Sequence, residues 1–185
     1  MAPPAALTFR LATPEDAPLL QPLVQSAYRG ETSRKGWTTE ADLLVGTRID
    51  VAGIVEKIQT PNSAVIMAFS PSQNNTLVAC CEVLLKPSQK IGYFGMFAVD
   101  PTLQAGGIGR QVLANAEQYA KSHGADKMEM TVIWTRKELI DWYVRRGYTV
   151  TEERREFPHE ELAKMDGENR ALVEDLWFKV LIKAL

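Results

Sequence analysis

One short stretch limits the folds open to this chain more than any other. Gln104-Ala105-Gly106-Gly107-Ile108-Gly109-Arg110 follows directly on the apolar run Phe97-Ala98-Val99-Asp100-Pro101 and opens into a helical pattern. The succession is a strand, a glycine-rich turn and a helix N-terminus. Glycines let the main chain take positive φ and approach a ligand closely, while the unpaired N–H groups of the first helical turn point at whatever sits there. The positive end of the helix dipole lies behind them, so the ligand this arrangement predicts is an anion, with a pyrophosphate the best match. The competing reading is a helix that opens on glycines for tight packing alone. Three glycines in four residues carry an entropic cost that packing rarely asks for.

Two other glycine-loop ligands fit less well. A triphosphate loop wants G-x-x-x-x-G-K-[ST], and no Gly-Lys pair followed by Ser or Thr occurs. A dinucleotide fingerprint wants G-x-G-x-x-G in the first strand-to-helix turn, with an acidic residue about 20 positions on. Here the turn lies past the middle of the chain and its register is Q-x-x-G-x-G. Length and composition narrow the class further. At 185 residues the chain suits one core and one domain spanning residues 1–185, and a net charge of -2 offers no broad positive field for nucleic acid. The adjacent cysteines, Cys80 and Cys81, would face opposite sides of a strand, which excludes a disulfide framework and suits a reducing compartment. No basic-then-apolar leader and no long apolar run is read, so a soluble cytoplasmic protein without membrane contact is the expectation.

Periodicity supplies the element order. Leu7 to Leu11 alternates as a strand. Thr13-Pro14-Glu15-Asp16 then supplies an N-cap, a proline at the first helical position and an acid three after the cap. The helix that follows runs to about Tyr28 on the face Leu19, Leu20, Leu23, Val24 and Ala27. A second helical region spans roughly Thr39 to Thr60, broken near Gly46. Strands cover Ala64 to Phe69, Thr76 to Leu85 and Ile91 to Val99, the last two forming an antiparallel hairpin across Lys86-Pro87-Ser88-Gln89-Lys90. The glycine-opened helix runs to about Ser122, with Ile108, Val112, Leu113, Ala116, Tyr119 and Ala120 on one face and Gly124 as its stop. Lys127 to Trp134 is a strand, Lys137 to Arg146 a helix closed by Gly147, and Tyr148 to Glu156 and Leu176 to Ile182 are strands. The segment from Pro158 to Glu174 has no clear period. This is a mixed α/β layer protein, and the right-handed crossover rule makes the strands flanking the glycine-opened helix parallel.

With these residues in view, the chain resembles the GNAT superfamily of acyl-CoA-dependent N-acyltransferases. Val99-Asp100-Pro101 followed by Gln104-Ala105-Gly106-Gly107-Ile108-Gly109 is similar to the family's V-x-P and [QR]-x-x-G-x-[GA]. Trp142-Tyr143-Val144-Arg145-Arg146-Gly147-Tyr148 is similar to its Y-x-x-x-G-[FY] at the end of the next helix. The resemblance implies a mixed, mostly antiparallel central sheet with helices on both faces and a splayed parallel strand pair. It also implies acetyl-CoA as co-substrate and an amine acceptor, and no H-x-x-x-H, C-x-x-C or clustered carboxylate set in the sequence suggests a metal. One departure is Arg136, which stands where family members often carry Asn seven residues before the tyrosine. Arg136 meets a CoA phosphate or is a solvated residue at a helix start, and both readings stay open.

The same resemblance implies roles for particular residues. Phe97, Ala98 and Val99 would pair their main chain with the pantetheine arm, and an N–H near Phe97 would polarise the thioester carbonyl. Ala105, Gly106, Gly107, Ile108, Gly109 and Arg110 would wrap the pyrophosphate, with Gln104 orienting the loop; Arg110 reads equally as a solvated helix residue. Independently, Gly92 and Gly95 inside the strand Ile91 to Val99 mark a bulge or a close backbone approach. Tyr143 is the candidate general acid, since a phenol with an ordinary pKa near 10 stays protonated at neutral pH. An aromatic of the helix's core face is its other reading. Glu82 and Glu129 are candidate bases that read more readily as exposed strand carboxylates. His123 in a helix's last turn suits the dipole, and His159 makes no pair with it. Tyr28, Arg34, Lys35, Trp37 and Glu40 mark the region of an acceptor pocket, although Trp37 reads more readily as a staple of the second helix to the core. The acceptor expected is a small-molecule amine. A protein lysine or N-terminus, a non-catalytic acyl-CoA sensor and a nucleotide-binding protein are the alternatives. A homodimer and a monomer are both compatible with the sequence.

Overall fold

Local sequence signals set the first elements. The computed structural model describes residues 6–103, 106–164 and 168–185. Strand β1 (Thr8–Leu11) leads into a single turn, Pro14–Asp16, and helix α1 (Ala17–Tyr28). The Asp16 carboxylate accepts from the Thr13 N–H at 2.8 Å and is clamped by Arg10 at 2.6 Å, which is the arrangement the Thr-Pro-Glu-Asp signal predicts. Helix α1 buries Ala17, Leu20 and Val24.

The second helical region is shorter than expected. After the four-residue helix α2 (Gly30–Ser33), residues 39–50 hold turns and strand β2 (Leu44–Val45), and only Val51–Gln59 forms helix α3. Two forces override the helical spacing of 39–50. Gly46 sits at φ +97°, with Asn169 packed where a side chain would stand, and β2 finds a distant antiparallel partner in strand β8 (Arg170–Ala171). Helix α3 begins at Asp50, whose side chain accepts from the Gly53 N–H at 2.7 Å.

The main sheet has seven strands. In chain order these are β1, β3 (Ser63–Ser70), β4 (Thr76–Lys86), β5 (Ile91–Val99), β6 (Lys127–Ile133), β7 (Thr149–Glu156) and β9 (Trp177–Ala184), and in space β1-β3-β4-β5-β6-β9-β7. Every pairing is antiparallel except β5–β6, the pair that flanks helix α4 (Ile108–Ser122). The mixed, mostly antiparallel sheet with one parallel pair is therefore the fold found. Helix α5 (Lys137–Val144) follows β6. The segment after Pro158, which had no readable period, contributes helix α6 (His159–Lys164) and β8.

Two apolar layers sandwich the sheet. Val112, Leu113, Ala116 and Ala120 of α4 and Leu139, Ile140 and Tyr143 of α5 pack on one face against Ile66, Cys81, Phe94 and Met130. On the other face α1 and α3 pack Leu20, Val24 and Ile54 against Val65, Met67, Cys80 and Met96. Cys80 and Cys81 thus face opposite layers, as strand alternation requires, and both are free thiols. A third cluster of Leu44, Ile133, Phe157, Leu162 and Leu176 binds the small β2–β8 ladder to the sheet. No helix among the described residues is long and apolar enough to cross a membrane.

A buried charge cluster ties the segment between α1 and α3 to the start of α5. Glu40 is 7% exposed and Arg29 6%. Arg29 reaches one Glu40 oxygen at 2.6 Å, and Arg136 reaches the other at 2.7 Å while donating to the Thr38 hydroxyl at 2.9 Å. Burial acts to raise the Glu40 pKa, but Arg136 and Arg29 outweigh it and hold the carboxyl below its ordinary value.

Two stability predictions follow from this packing. A Cβ at Gly92 would lie 2.7 Å from Ala120 Cβ, so Gly92→Ala forces α4 off the sheet and lowers unfolding free energy by about 1–3 kcal/mol. An unchanged urea midpoint would contradict the close approach. Replacing Glu40 with Gln leaves two buried guanidiniums short of a counter-charge and destabilises by about 3 kcal/mol at pH 7. Because the folded-state pKa of Glu40 is depressed, its contribution is complete above the ordinary value of 4.5 and fades as pH falls through the folded value. Wild type and Glu40→Gln should therefore converge in urea midpoint on acidification, and a gap constant with pH would refute the pairing.

Candidate active site

The parallel ladder ends almost as soon as it starts. β5 pairs with β6 only at Ile91, Gly92 and Tyr93. On its other edge the register with β4 slips between Cys80 and Glu82, with Gly95 opposite Glu82 and Ala98 opposite Cys80, so Met96 and Phe97 together face Cys81. This is a bulge, and the left-handed residue in it is Met96 at φ +43°. The sequence pointed to Gly92 and Gly95 as markers. Gly95 lies beside the bulge, whereas Gly92 serves the contact with α4. Beyond it the Asp100 N–H returns to Val78 at 2.9 Å, so alternation turns the main-chain groups of Ala98 toward β4 and those of Phe97 and Val99 toward the gap.

A cavity of about 900 Å³ opens at this wedge, lined among others by Tyr28, Trp37, Arg48, Phe97, Gly107 and Tyr143. Gly107 stands at φ +76° before α4, a conformation that favours glycine. The first α4 hydrogen bond runs from the Gln111 N–H to the Gly107 carbonyl, which leaves the N–H groups of Ile108, Gly109 and Arg110 without helical partners. Gly109 serves the other purpose considered for these glycines, since a Cβ there would stand 3.3 Å from the Phe97 ring and 3.4 Å from Trp142. Gln104 and Ala105 lie outside the described residues.

Arg110 lines the cavity, and so do Arg145 and Arg146, to which the sequence pattern alone gave no role. The guanidinium of Arg146 lies 3.5 Å over the Trp142 ring and donates to the Trp142 carbonyl at 2.7 Å, while its Nε is buried without a partner. Burial foremost, and then the like charges of Arg145 and Arg110, hold the Arg146 pKa below its ordinary value. Three arginines gathered at a helix N-terminus with no ion pair among the described residues favour an anion there. The signal for the missed pair was its place in the turn before Gly147, but only the fold shows that this turn meets the α4 N-terminus.

Two phenols sit at the wedge. Tyr143 is 4% exposed, with its ring edge-on to Trp142 at 5.0 Å and Tyr148 at 5.7 Å, and it reaches the cavity wall. Burial, ahead of any charge, pushes its phenol well above the ordinary value, so it is protonated at neutral pH. The core packing and the cavity position both hold for this residue. The Tyr28 hydroxyl donates to the Phe97 carbonyl at 2.8 Å, and burial pushes its pKa up to about 12.

The remaining expectations divide. Trp37 is 44% exposed and faces Trp142 at 6.3 Å across the cavity, so it is a wall rather than a buried staple. Tyr28 and Glu40 line the cavity too, but Arg34 pairs with Glu31 and Asp42 at the surface and Lys35 is exposed. Glu82 and Glu129 are not exposed strand carboxylates. They are 5% and 6% exposed, Glu82 pairing with Lys57 at 2.6 Å and Glu129 with Lys86 and Arg155 at 3.0 Å each. Burial opposes ionisation of Glu129, yet Arg155 and Lys86 overcome it and lower its pKa. Arg136 is no solvated helix start, being 12% exposed with its guanidinium on Glu40 and Thr38. His123 meets the Tyr119 carbonyl at 2.8 Å, which satisfies the dipole, and His159 packs edge-on to Phe157 at 4.9 Å. Among the described residues no group of three or more His, Cys, Asp or Glu is placed to hold a metal.

Comparison with known proteins agrees with this fold. No curated protein matches the chain. Among solved structures, the ribosomal-protein-S18-alanine N-acetyltransferase from Escherichia coli superposes with a TM-score of 0.67 at 14% identity, covering 97% of this chain and 94% of its own. A chimera of the Vibrio cholerae spermidine N-acetyltransferase SpeG gives 0.66 at 13% identity, covering 96% and 95%. An N-acetyltransferase from Thermoplasma acidophilum in complex with coenzyme A gives 0.64 at 14% identity, covering 97% and 99%. At such identities these likenesses speak for the fold alone. The family described as the acetyltransferase (GNAT) family matches residues 33–148, and the chain belongs to it.

Proposed function

We propose that this protein transfers an acetyl group from acetyl-CoA to a primary amine of a small molecule by direct attack. The observation that carries the reading is the wedge between β5 and β6, which opens into one cavity with the N-terminus of α4. The pantetheine arm lies along Phe97, Ala98 and Val99 as an added strand, and the pyrophosphate lies on the N–H groups of Gly106 to Arg110. Arg110 and Arg146 supply charge-assisted contacts to its oxygens. The donor set suits this carrier, being free amides and unpaired guanidiniums where the phosphates fall and apolar rings beside the arm. Arg136, held by Glu40 and Thr38, keeps the acceptor-side loop in place rather than binding phosphate.

In the transfer, the neutral amine nitrogen attacks the thioester carbonyl carbon. The oxyanion that forms accepts from a main-chain N–H near Phe97, the C–S bond breaks, and its electron pair goes to sulfur. Tyr143 donates to that sulfur. Its raised pKa keeps full proton transfer uphill even to the free thiolate, so the phenol acts as a hydrogen-bond donor that strengthens as charge develops on sulfur, and any proton it does pass on is replaced from solvent. The proton lost by the nitrogen passes through solvent and closes the balance. Glu82 and Glu129 are not assigned as bases, because basic side chains already engage both.

The acceptor is read as a small molecule, since Trp37, Tyr28 and Arg48 line the same cavity that receives the thioester. Among related folds, one neighbour is a spermidine acetyltransferase and another acts on a ribosomal protein, so the fold leaves the acceptor class open. In a thiol-release assay over an amine panel, Tyr143→Phe should lower kcat by about 100-fold or more with acetyl-CoA affinity retained. Unchanged turnover would remove the assignment. Replacing Arg110 and Arg146 together with Ala should weaken acetyl-CoA binding by about tenfold or more and flatten its salt dependence. Equal binding by calorimetry would place the phosphates elsewhere.

A further inference from the structure

Arg48 lines the same cavity as the α4 N-terminus and lies beside Tyr28. Its guanidinium lies 4.9 Å over the ring of Tyr28, whose hydroxyl is 2.8 Å from the Phe97 carbonyl. One aromatic ring therefore separates this cation from the strand where the thioester would lie. That spacing suits a molecule with an amine at the thioester and an anion a few bonds away.

The charge around Arg48 is unbalanced. The nearest cluster holds one carboxylate, Glu40, and both of its oxygens are taken, one by Arg29 and the other by Arg136. Among the described residues Arg48 forms no ion pair, although it lines the cavity wall. The other carboxylates in that wall, Glu138 and Asp141, are exposed on α5, the helix that leads into Arg145 and Arg146. A guanidinium stacked on a phenol and left without a counter-ion is shaped to bind a planar carboxylate through two N–H groups.

The loop that bears Arg48 is also held in place. Gln25 of α1 accepts from the Arg48 N–H at 2.9 Å and donates to the Gly46 carbonyl at 3.1 Å, and Gln21 donates to the Ile49 carbonyl at 3.3 Å. These bonds present the side chain from a fixed backbone, which lowers the entropy lost on binding.

We infer that the acceptor is an amine that also carries a carboxylate, and that Arg48 is the residue that selects it. The inference rests on the N-acetyltransferase reading and narrows its substrate class to amino-acid-like amines. Polyamines would bring positive charge to a site that already has an excess of it.

The test is acetylation by the purified protein of matched amines: α-amino acids, their carboxamides, an aminoalkylphosphonate and spermidine, followed by thiol release and product mass. The carboxylate member should exceed its carboxamide in kcat/KM by at least about tenfold. Arg48→Gln should bring that ratio near one through a rise in KM, and Arg48→Lys should restore part of it. If both variants fail to fold, the wild-type ratio alone decides. Carboxamides or spermidine used as well as the acids, or a ratio that survives Arg48→Gln, would overturn the inference while leaving the transferase reading intact. Preference for the phosphonate would assign the anion to the phosphate class and overturn the carboxylate. Binding of acetyl-CoA with no amine acetylated at all would defeat the transferase reading, and this inference with it.

Discussion

The extra residue in β5 turns that strand away from its parallel partner after Tyr93, and the rest of the site depends on the gap it leaves. Main-chain groups left unpaired in an interior cost about 1–3 kcal/mol each, so such a gap needs support. Part of it comes from Tyr28, which satisfies the Phe97 carbonyl, and part from the packing of Phe97 against Phe94 at 5.1 Å and Trp142 at 6.2 Å. Those same rings require Gly109 to be small, which brings the α4 N-terminus down onto the wedge. The strand edge and the helix amides therefore belong to one packed unit.

Charge is distributed around this unit in two groups. Arg110, Arg145 and Arg146 gather beside the α4 N-terminus, whereas Arg29, Arg48 and Arg136 surround Glu40 on the other side. The chain as a whole carries a net charge of -2, so these are local fields built against an acidic background. The first group suits phosphates, and the second holds a loop while leaving one guanidinium over. Glu82 and Glu129 show the contrast, since each is buried but already neutralised by lysine or arginine. A charge that lacks its partner, more than a charge that is merely buried, marks the positions proposed to bind ligand.

How far the sequence could be read follows from the range of the forces involved. The Thr13 cap, the apolar face of α4, its stop at Gly124 with φ +88° and the opposed faces of Cys80 and Cys81 are local, and each was legible. The parallel pair followed from connection handedness. The splay followed from family resemblance, with only a hint from Gly95. Met96 as the left-handed residue was not readable, because its conformation is imposed by β4 pairing on both sides of it. Residues 39–50 failed as a helix because their partner, β8, lies far along the chain. The partners of Glu82, Glu129 and Arg136 come from other elements, so neither their burial nor their neutralisation carried a local signal.

The most direct measurement is a crystal structure of the protein with acetyl-CoA bound. The pantetheine should run along Phe97 to Val99 within the β5–β6 gap, the diphosphate should meet the N–H groups of Ile108, Gly109 and Arg110, and the sulfur should lie beside the Tyr143 hydroxyl. A carrier bound outside that gap, or a gap closed by continued β5–β6 pairing, would contradict this placement.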